Sequence, residues 1–398
     1  MKKYLFINNS LNGTGGSRVI LNLATYLSDS NCSVSILIDR IDNINFDVDS
    51  RINLFLRDKK GIRPYIKKNN TVQISKKSHS PTILKLKLKL KKIINYISTF
   101  KYSKDKRDFI EFINKNSFDV IINNNIYSHL YRIMYEKNSS GNYFVNFHNS
   151  PKEVFLRPEF ASFFPLKKIF KNVNILTVSS EIKNELYELG QFDIEKVTTI
   201  YNPFNFHELH VKAKENPYDT YPFDYIITVS TLSQRKRVER AIQSFKLLDP
   251  QEKNLHLIIL GDGSLKNELL KLVSQLEITN YVHFLGFQSN PYPYISNAKL
   301  LLLTSDSEGL PTVIIESLIL GIPVISTDCP TGPREILEPW KEESLVNISN
   351  NKEEYIVEQL ASKMKDILCK NYSKDYVIHN SNLERFEDVL IIKKWLNL

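Results

Sequence analysis

The chain reads as an α/β protein built on parallel sheets, and three observations carry that expectation. Short, almost wholly apolar runs recur from one end to the other, amphipathic helical stretches separate most of them, and glycine-rich turns follow several of the runs. Strands that are apolar throughout belong to parallel sheets covered on both faces, and alternating strands and helices build such sheets. With 398 residues the chain exceeds one ordinary core and suits two domains of about 150–200 residues each.

In order, "KKYLFIN" predicts a strand, "GGSRVILNLATYLSD" a helix and "SVSILID" the next strand. "FDVIINN", "NYFVNFH" and "ILTVS" continue the first half. The stretch "YNPFNFHELHVKAKENPYDTYPFD", rich in Pro, Asn and turn residues, reads as a loop and puts a domain boundary near residues 203–220. A second series follows: "YIITVS", "LHLIILGDG", "YVHFLGF", "KLLLLTS" and "IPVIST". Two such Rossmann-like domains facing each other would bring the carboxyl ends of both sheets to one cleft, where open α/β sheets bind ligands.

Composition narrows the classes. A hydrophobic fraction of 42% with 24% charged residues describes a folded globular chain. Cys32, Cys329 and Cys369 lie far apart without a CxxC pair, which argues against a disulfide framework or zinc site and for a reducing cytoplasm. The apolar run in "MKKYLFINNS" is too short for a signal peptide, and no segment approaches the ~20 apolar residues of a membrane span. The expected location is cytoplasmic, peripheral at the inner face of the cytoplasmic membrane. That last expectation rests on charge. Segment 57–107 carries seventeen Lys/Arg against two Asp, whereas the whole chain has a net charge of +9. Within it "ILKLKLKLKKIINYI" places Ile83, Leu86, Leu90, Ile93, Ile94 and Ile97 on one helical face among lysines. Such a helix suits an anionic lipid surface, or lies on its own domain as a solvated helix. Without interleaved aromatics or an RNA or DNA motif, nucleic acid is not an expected partner.

Two glycine-rich turns follow strands. "NGTGGSRV" opens a helix whose free amides favour an anion, but it is neither a dinucleotide fingerprint nor a P-loop, since Arg18 stands where a third glycine would fall and no GK[ST] follows. "LGDGSLKNEL" is the second; Gly261 and Gly263 let the backbone approach a ligand or simply make the turn. In "TSDSEGLPTVIIESLILGIPVIS", Glu308 and Glu316 interrupt an otherwise apolar stretch. With Pro311 as first helical residue, Glu308 lies in the loop and Glu316 about 8 Å along the helix. A phosphate on the amides of Gly309 to Thr312 would have one carboxylate on each side, an arrangement suited to a nucleotide sugar. The alternative makes both glutamates helix charges or salt-bridge partners.

The segment "SEGLPTVIIESLILGIPVISTDCPTGPREIL" resembles the EX7E signature of family 4 glycosyltransferases, retaining enzymes of GT-B architecture. "FHNSP" around His148, "TVSS" near Ser180, "TVSTLSQRKRVERAIQSF", "VHFLGF" and a last helix "ERFEDVLIIKKWL" extend the resemblance. It implies an acceptor domain over 1–205, a nucleotide-sugar domain over 206–380 and a helix in 381–398 crossing back. Glu308 would contact the donor sugar beside its anomeric carbon, Glu316 the ribose, and His148 the sugar and developing charge. Lys236 would neutralise the diphosphate with the amides around Gly309, Leu310 and Pro311. Gly16 would bring its amide to the phosphate or acceptor side, Gly286 with Phe287 would border the base, and Gly263 and Arg235 are further candidate donor-binding residues. One departure stands out: Thr231 occupies the place where the family has the arginine of a GRL sequence, with Arg235, Arg237 and Arg334 as candidate replacements.

The implied reaction moves a hexose or N-acetylhexosamine from a nucleotide sugar, UDP-linked, to a glycan or lipid-linked acceptor of bacterial surface polysaccharide, lipopolysaccharide or a related glycan, with retention. No metal site or cofactor is expected. His207 and His210 form an isolated HxxH expected at the surface. A nucleotide-sugar epimerase of the same architecture, a sugar phosphorylase and a non-catalytic membrane-associated partner are the alternatives. The paired glutamates argue against the first, the lack of a cofactor lysine motif against the second, and intact His148, Lys236, Glu308 and Glu316 against the third.

Overall fold

The structure is a computed structural model that describes residues 1–11, 15–39, 48–58, 61–65, 99–124, 142–155, 173–190, 192–215 and 221–398. The apolar helix face expected over 83–97 lies outside them. Two compact units form, one of Met1–Asn12, Ile20–Asn146 and Lys168–Asn174, the other of Gly13–Val19, Phe147–Lys167 and Ile175–Leu398.

The first sheet contains β1 (Lys3–Asn8), β2 (Ser33–Ile38), β3 (Asn53–Asp58), β4 (Gly61–Pro64), β5 (Val120–Asn123), β6 (Tyr143–Phe147), β7 (Asn174–Thr177) and β8 (Val197–Thr199). Their order is β4, β3, β2, β1, β5, β6, β7, β8. Five consecutive residues of β1, Tyr4 to Asn8, are buried, as expected of a strand covered on both faces. The sheet departs from the all-parallel expectation at one edge, where β4 runs antiparallel to β3 with Arg57 opposite Ile62. Pro64 and charged Arg63 suit an edge, where a missing ladder donor costs little and charge discourages further pairing.

The second sheet contains β9 (Asp224–Val229), β10 (Leu255–Leu260), β11 (Val282–Gly286), β12 (Leu300–Leu303), β13 (Val324–Thr327) and β14 (Leu345–Val346), in the order β11, β10, β9, β12, β13, β14. The strand order reverses between β9 and β12, so the loops leaving these two neighbours diverge to opposite sides and open a crevice at their carboxyl ends. That crevice positions the site.

The helices used below are α1 (Gly15–Asp29), α2 (Thr99–Asn116), α3 (Ser180–Glu188), α4 (Phe206–Ala213), α5 (Val238–Lys246), α6 (Lys266–Gln275), α7 (Tyr292–Ser296), α8 (Thr312–Ile319), α9 (Pro333–Ile336), α10 (Glu353–Lys370), α11 (Lys374–His379) and α12 (Asp388–Leu396). In α5 the buried residues Val238, Ala241, Ile242 and Phe245 fall at helical spacing and make one apolar stripe. The stripe joins a core containing Leu257 and Ile259 of β10 and Leu360 and Met364 of α10. Each fully buried side chain of this size contributes about 1.5–3 kcal/mol. All four leucines of β12 are buried, Leu300 and Leu302 in this core, and they anchor the start of the site loop.

The loop expected over 201–224 contains α4. Asn205 caps it, accepting from the Glu208 amide at 2.8 Å, and Leu209 is buried. One apolar anchor and a cap suffice for two turns, although turn-forming residues dominate the composition. His207 and His210 face solvent, as expected. The C-terminal region returns to this point: the Phe204 amide donates to the Phe386 carbonyl at 3.0 Å, and Asn205 Nδ2 to Asp388 Oδ2 at 2.8 Å.

Candidate active site

The loop between β12 and α8 holds Glu308, and short-range chemistry fixes its path. Thr304 Oγ1 donates to the Arg237 carbonyl at 2.8 Å, Thr327 Oγ1 to the Ser305 carbonyl at 2.6 Å and Thr331 Oγ1 to the Glu308 carbonyl at 2.6 Å. The Asp306 amide donates to the Arg235 carbonyl at 2.9 Å, tying this loop to the one that leaves β9. Gly309 is obligatory by packing, because a Cβ there would stand 1.9 Å from the His148 carbonyl oxygen. Gly332, at φ 92°, crosses close to the Gly309 carbonyl and the Pro311 ring. Pro311 caps α8 instead of starting it, and Leu310 and Pro311 are buried.

Two cations converge on Glu308. Lys236 Nζ lies 2.5 Å from Oε1 and Arg235 Nη1 3.3 Å from Oε2, while Ser305 Oγ donates to Oε1 at 2.5 Å. Burial pushes this carboxyl up, but Lys236 and then Arg235 push it down and win, so it is held below the usual range. Arg235 also donates to the Ser307 carbonyl. Its side chain remains 35% exposed and lines a cavity of ≈ 710 Å³ with Gln234, Arg237 and Asp306. The other arginines serve elsewhere. Arg237 pairs with Glu353 at 2.7 Å and Glu239 at 2.9 Å; Arg240 holds Asp306 at 2.6 Å and Glu353 at 2.8 Å; Arg334 pairs with Asp328. Of the three arginines considered as replacements at Thr231, Arg235 is the one that shares a carboxylate with Lys236. Thr231 itself is exposed in the turn after β9.

Glu316 lies in the second turn of α8 and is 5% exposed. Burial pushes its carboxyl above the usual range, while Arg18 and a hydrogen bond from Thr312 oppose the shift without cancelling it. Arg18, in the first turns of α1, donates to the Ser289 carbonyl at 3.0 Å and stands 5.7 Å over the Tyr292 ring. The amino end of α1 therefore reaches the flank of α8; a Cβ on Gly15 would lie 3.9 Å from Thr312 Oγ1. Gly16 is exposed, and a Cβ there would meet open space. Arg18 entered the sequence reading only as the residue that breaks a glycine pattern. Its position two residues beyond Gly16 was the available signal.

His148 is partly buried on the loop after β6, and burial pushes its imidazole down to about 4. At neutral pH the ring is uncharged, so it offers one hydrogen-bond donor and one acceptor rather than a cation. Gly263 lies at the far side of the β9 turn. A Cβ there would stand 2.2 Å from the Leu232 carbonyl, and at Gly261 1.9 Å from the Ser230 carbonyl, so both glycines admit one turn against another. Gly286, at φ 71°, accepts from the Gly261 amide at 2.7 Å, and Phe287 beside it is 38% exposed. Ser305, which orients Glu308, was not foreseen; a serine three residues before a glutamate carries no distinctive pattern.

Two parallel-sheet α/β units with this switch-point site define the GT-B fold. Residues 212–379 match the family of glycosyl transferases group 1. Over 225 residues the chain is 32% identical to an uncharacterized glycosyltransferase of Methanocaldococcus jannaschii, covering 54% of this chain and 52% of that protein. It is 26% identical over 309 residues to the lipopolysaccharide 1,6-galactosyltransferase of Salmonella typhimurium, covering 76% and 80%. The chain thus spans about half the length of the archaeal relative. Among solved structures, the pneumococcal O-GlcNAc transferase GtfA in complex with UDP and GlcNAc superposes with a TM-score of 0.71 at 13% identity, over 100% of this chain and 98% of that one.

Proposed function

We propose that the protein is a retaining glycosyltransferase that moves a hexose or N-acetylhexosamine from a UDP-sugar to a glycan or lipid-linked acceptor in surface-polysaccharide or lipopolysaccharide synthesis. The observation that carries the proposal is the pair of buried carboxylates on one loop and helix, Glu308 beneath two cations and Glu316 farther along α8. The relatives named above support the reaction class, and GtfA, solved with UDP and GlcNAc, supports the donor chemistry.

In this reading the anomeric C–O bond to the diphosphate breaks while the acceptor oxygen bonds to the same sugar face, and the acceptor proton passes to the departing phosphate oxygen. Lys236 and Arg235 carry two positive charges against one carboxylate, leaving one for the leaving diphosphate. The amides at Gly309 and Leu310 add fixed dipoles, which cost no reorganisation as charge develops. Glu308 sits beside the anomeric carbon, and uncharged His148 hydrogen-bonds a sugar hydroxyl. Glu316 accepts the ribose diol, Gly16 approaches the phosphates, and Gly286 with Phe287 borders the base. Protein cations handle the leaving group, so the activity is metal-independent.

Isothermal calorimetry with UDP, GDP and ADP in EDTA tests the donor site. Selective binding of UDP is expected; no binding to any of the three would favour a non-catalytic partner with a degenerate site.

A further inference from the structure

Lys236 and Arg235 can meet Glu308 only if two stretches stay in register, the turn that leaves β9 and the loop that leaves β12. A buried guanidinium stands between them. Arg240, in the first turn of α5, has a side chain 4% exposed and directs four of the five N–H groups of a guanidinium to three partners. Nη1 donates to the Asp306 carboxylate at 2.6 Å and to the Thr304 carbonyl at 3.2 Å. Nε and Nη2 each donate at 2.8 Å to Glu353, the first residue of α10. Thr304 and Asp306 flank Ser305, whose hydroxyl orients Glu308. The guanidinium therefore grips the site loop on both sides of that serine.

The same residues close a ring with the cation turn. The Asp306 amide donates to the Arg235 carbonyl at 2.9 Å, and the Arg240 amide to the Arg237 carbonyl at 2.9 Å. Arg237 Nη2 lies 2.7 Å from Glu353 Oε2, the oxygen that also accepts from Arg240 Nε. Arg237 holds φ 48° and ψ 42°, a left-handed conformation that a side chain disfavours. Residues keep such a backbone where their surroundings over-determine it. Here the reversal ends the short turn Gln234–Lys236 and begins α5, so it sets the direction in which Lys236 leaves the backbone. Glu353 stands on firm support, since Ile356, Leu360 and Met364 of α10 share a core with the apolar stripe of α5. Tying α5 to α10 would need only Arg240 and Glu353. The added grip on Thr304, Asp306 and Arg237 reaches the two stretches that carry the site's charges.

We propose, resting on the nucleotide-sugar reading above, that Arg240 is a positioning residue: it registers the turn carrying Arg235 and Lys236 against the loop carrying Glu308, so that both cations face the leaving diphosphate. Glu353 is its anchor. Lysine cannot take the place of Arg240, because an ammonium is a point charge without the planar fork that reaches three partners at fixed angles.

Two measurements on wild type, Arg240→Lys and Glu353→Gln test it. Glu353 has a side chain 50% exposed, so its variant should fold even if the buried substitution does not. The first measurement needs no nucleotide: lysines are labelled with acetic anhydride and read residue by residue by mass spectrometry. The Lys236 ammonium lies 2.5 Å from Glu308 on a side chain 15% exposed. Its labelling rate should rise about tenfold in both variants, the scale of one hydrogen bond to a charged group. Lys374, whose ammonium donates to the Ser296 carbonyl, should keep its wild-type rate. An unchanged Lys236 rate would overturn the proposal, and so would equal rises at both lysines, which mean general loosening. The second measurement is calorimetry with UDP, with uridine measured by its displacement of UDP. Both variants should bind UDP about tenfold more weakly and uridine as wild type does, because uridine lacks the diphosphate on which the cations converge. Equal losses for the two ligands would indicate damage to the fold and reject the positioning role. Wild type that binds neither ligand, with the Lys236 labelling shift intact, would instead sink the donor reading and leave the coupling of Arg240 to Lys236 standing.

Discussion

Glu308 and Glu316 are both 5% exposed, and their surroundings push them in opposite directions. Two cations overcome burial at Glu308, whereas Arg18 only moderates it at Glu316. Their substitutions should therefore separate. In the proposed reaction Glu308→Gln keeps shape and removes charge beside the reacting carbon, so turnover should fall by about 10²–10³-fold, while UDP affinity stays within a few fold because the cations are retained. Glu316→Ala should weaken UDP by about 10- to 100-fold, the scale of hydrogen bonds to a charged group, with smaller loss of turnover at saturation. Steady-state kinetics with calorimetry checks both; variants with the same activity would reject the assigned roles. Glycines divide in the same way. Gly309→Ala drives a methyl into the His148 carbonyl and should cost about 1–3 kcal/mol by overpacking, read as a lowered melting temperature. Gly16→Ala meets open space and should leave the melting temperature unchanged or slightly higher.

At the scale of elements, β10 and β11 share an unusual pair. His256 Nδ1 and His283 Nε2 lie 2.9 Å apart, and Phe223 stacks on His256 with ring centroids 3.6 Å apart. Burial pushes both imidazoles below the ordinary 6.5, and for His256 the neighbouring His283 adds to the effect. A depressed imidazole leaves the unfolded chain the better proton acceptor, so the stability it supports is complete above pH 6.5 and drains as pH falls below it. The urea midpoint should be flat from pH 8 to 7 and fall towards pH 5, by at most about 1.4 kcal/mol per pH unit for each proton taken up. His283→Gln, which removes one titrating ring, should flatten the fall; parallel wild-type and variant curves would exclude the pair as the cause. Elements also set what the sequence could convey. Long apolar runs announced β1, β2, β9, β10 and β12 because burial on both faces leaves few polar positions. The two-residue β14 and three-residue β8 offer no period to read. α4 was hidden because its single buried Leu209 makes no stripe, and the site followed the same rule: Glu308 and Glu316 stood out against aliphatic neighbours, while Arg18 looked like one more polar residue at a helix start.

At the scale of the whole molecule, charge is distributed unevenly. Segment 57–107 holds seventeen Lys/Arg and two Asp, so the rest of the chain is net acidic within a total of +9. Among the described residues some of that charge is locally neutralised, since Arg57 pairs with Asp39 at 2.8 Å and Arg63 with Asp58 at 2.7 Å. Each Lys/Arg near an anionic surface is worth about 1 kcal/mol. No helix among the described residues is long and apolar enough to cross a membrane, and surface attraction would serve an acceptor carried on lipid without one. The protein should cosediment with vesicles containing anionic phospholipid and not with purely zwitterionic ones. Binding should weaken strongly between 0.1 and 0.5 M salt, as the screening length contracts from about 10 Å to roughly half that. Charge reversal at Lys87, Lys89, Lys91 and Lys92 should abolish cosedimentation while leaving UDP binding intact, because Glu308, Glu316, Lys236 and Arg235 lie far away in the sequence on the second sheet's loops and helix. Equal binding to zwitterionic vesicles, or binding indifferent to salt, would remove electrostatic attraction as a means of reaching the proposed lipid-linked acceptor.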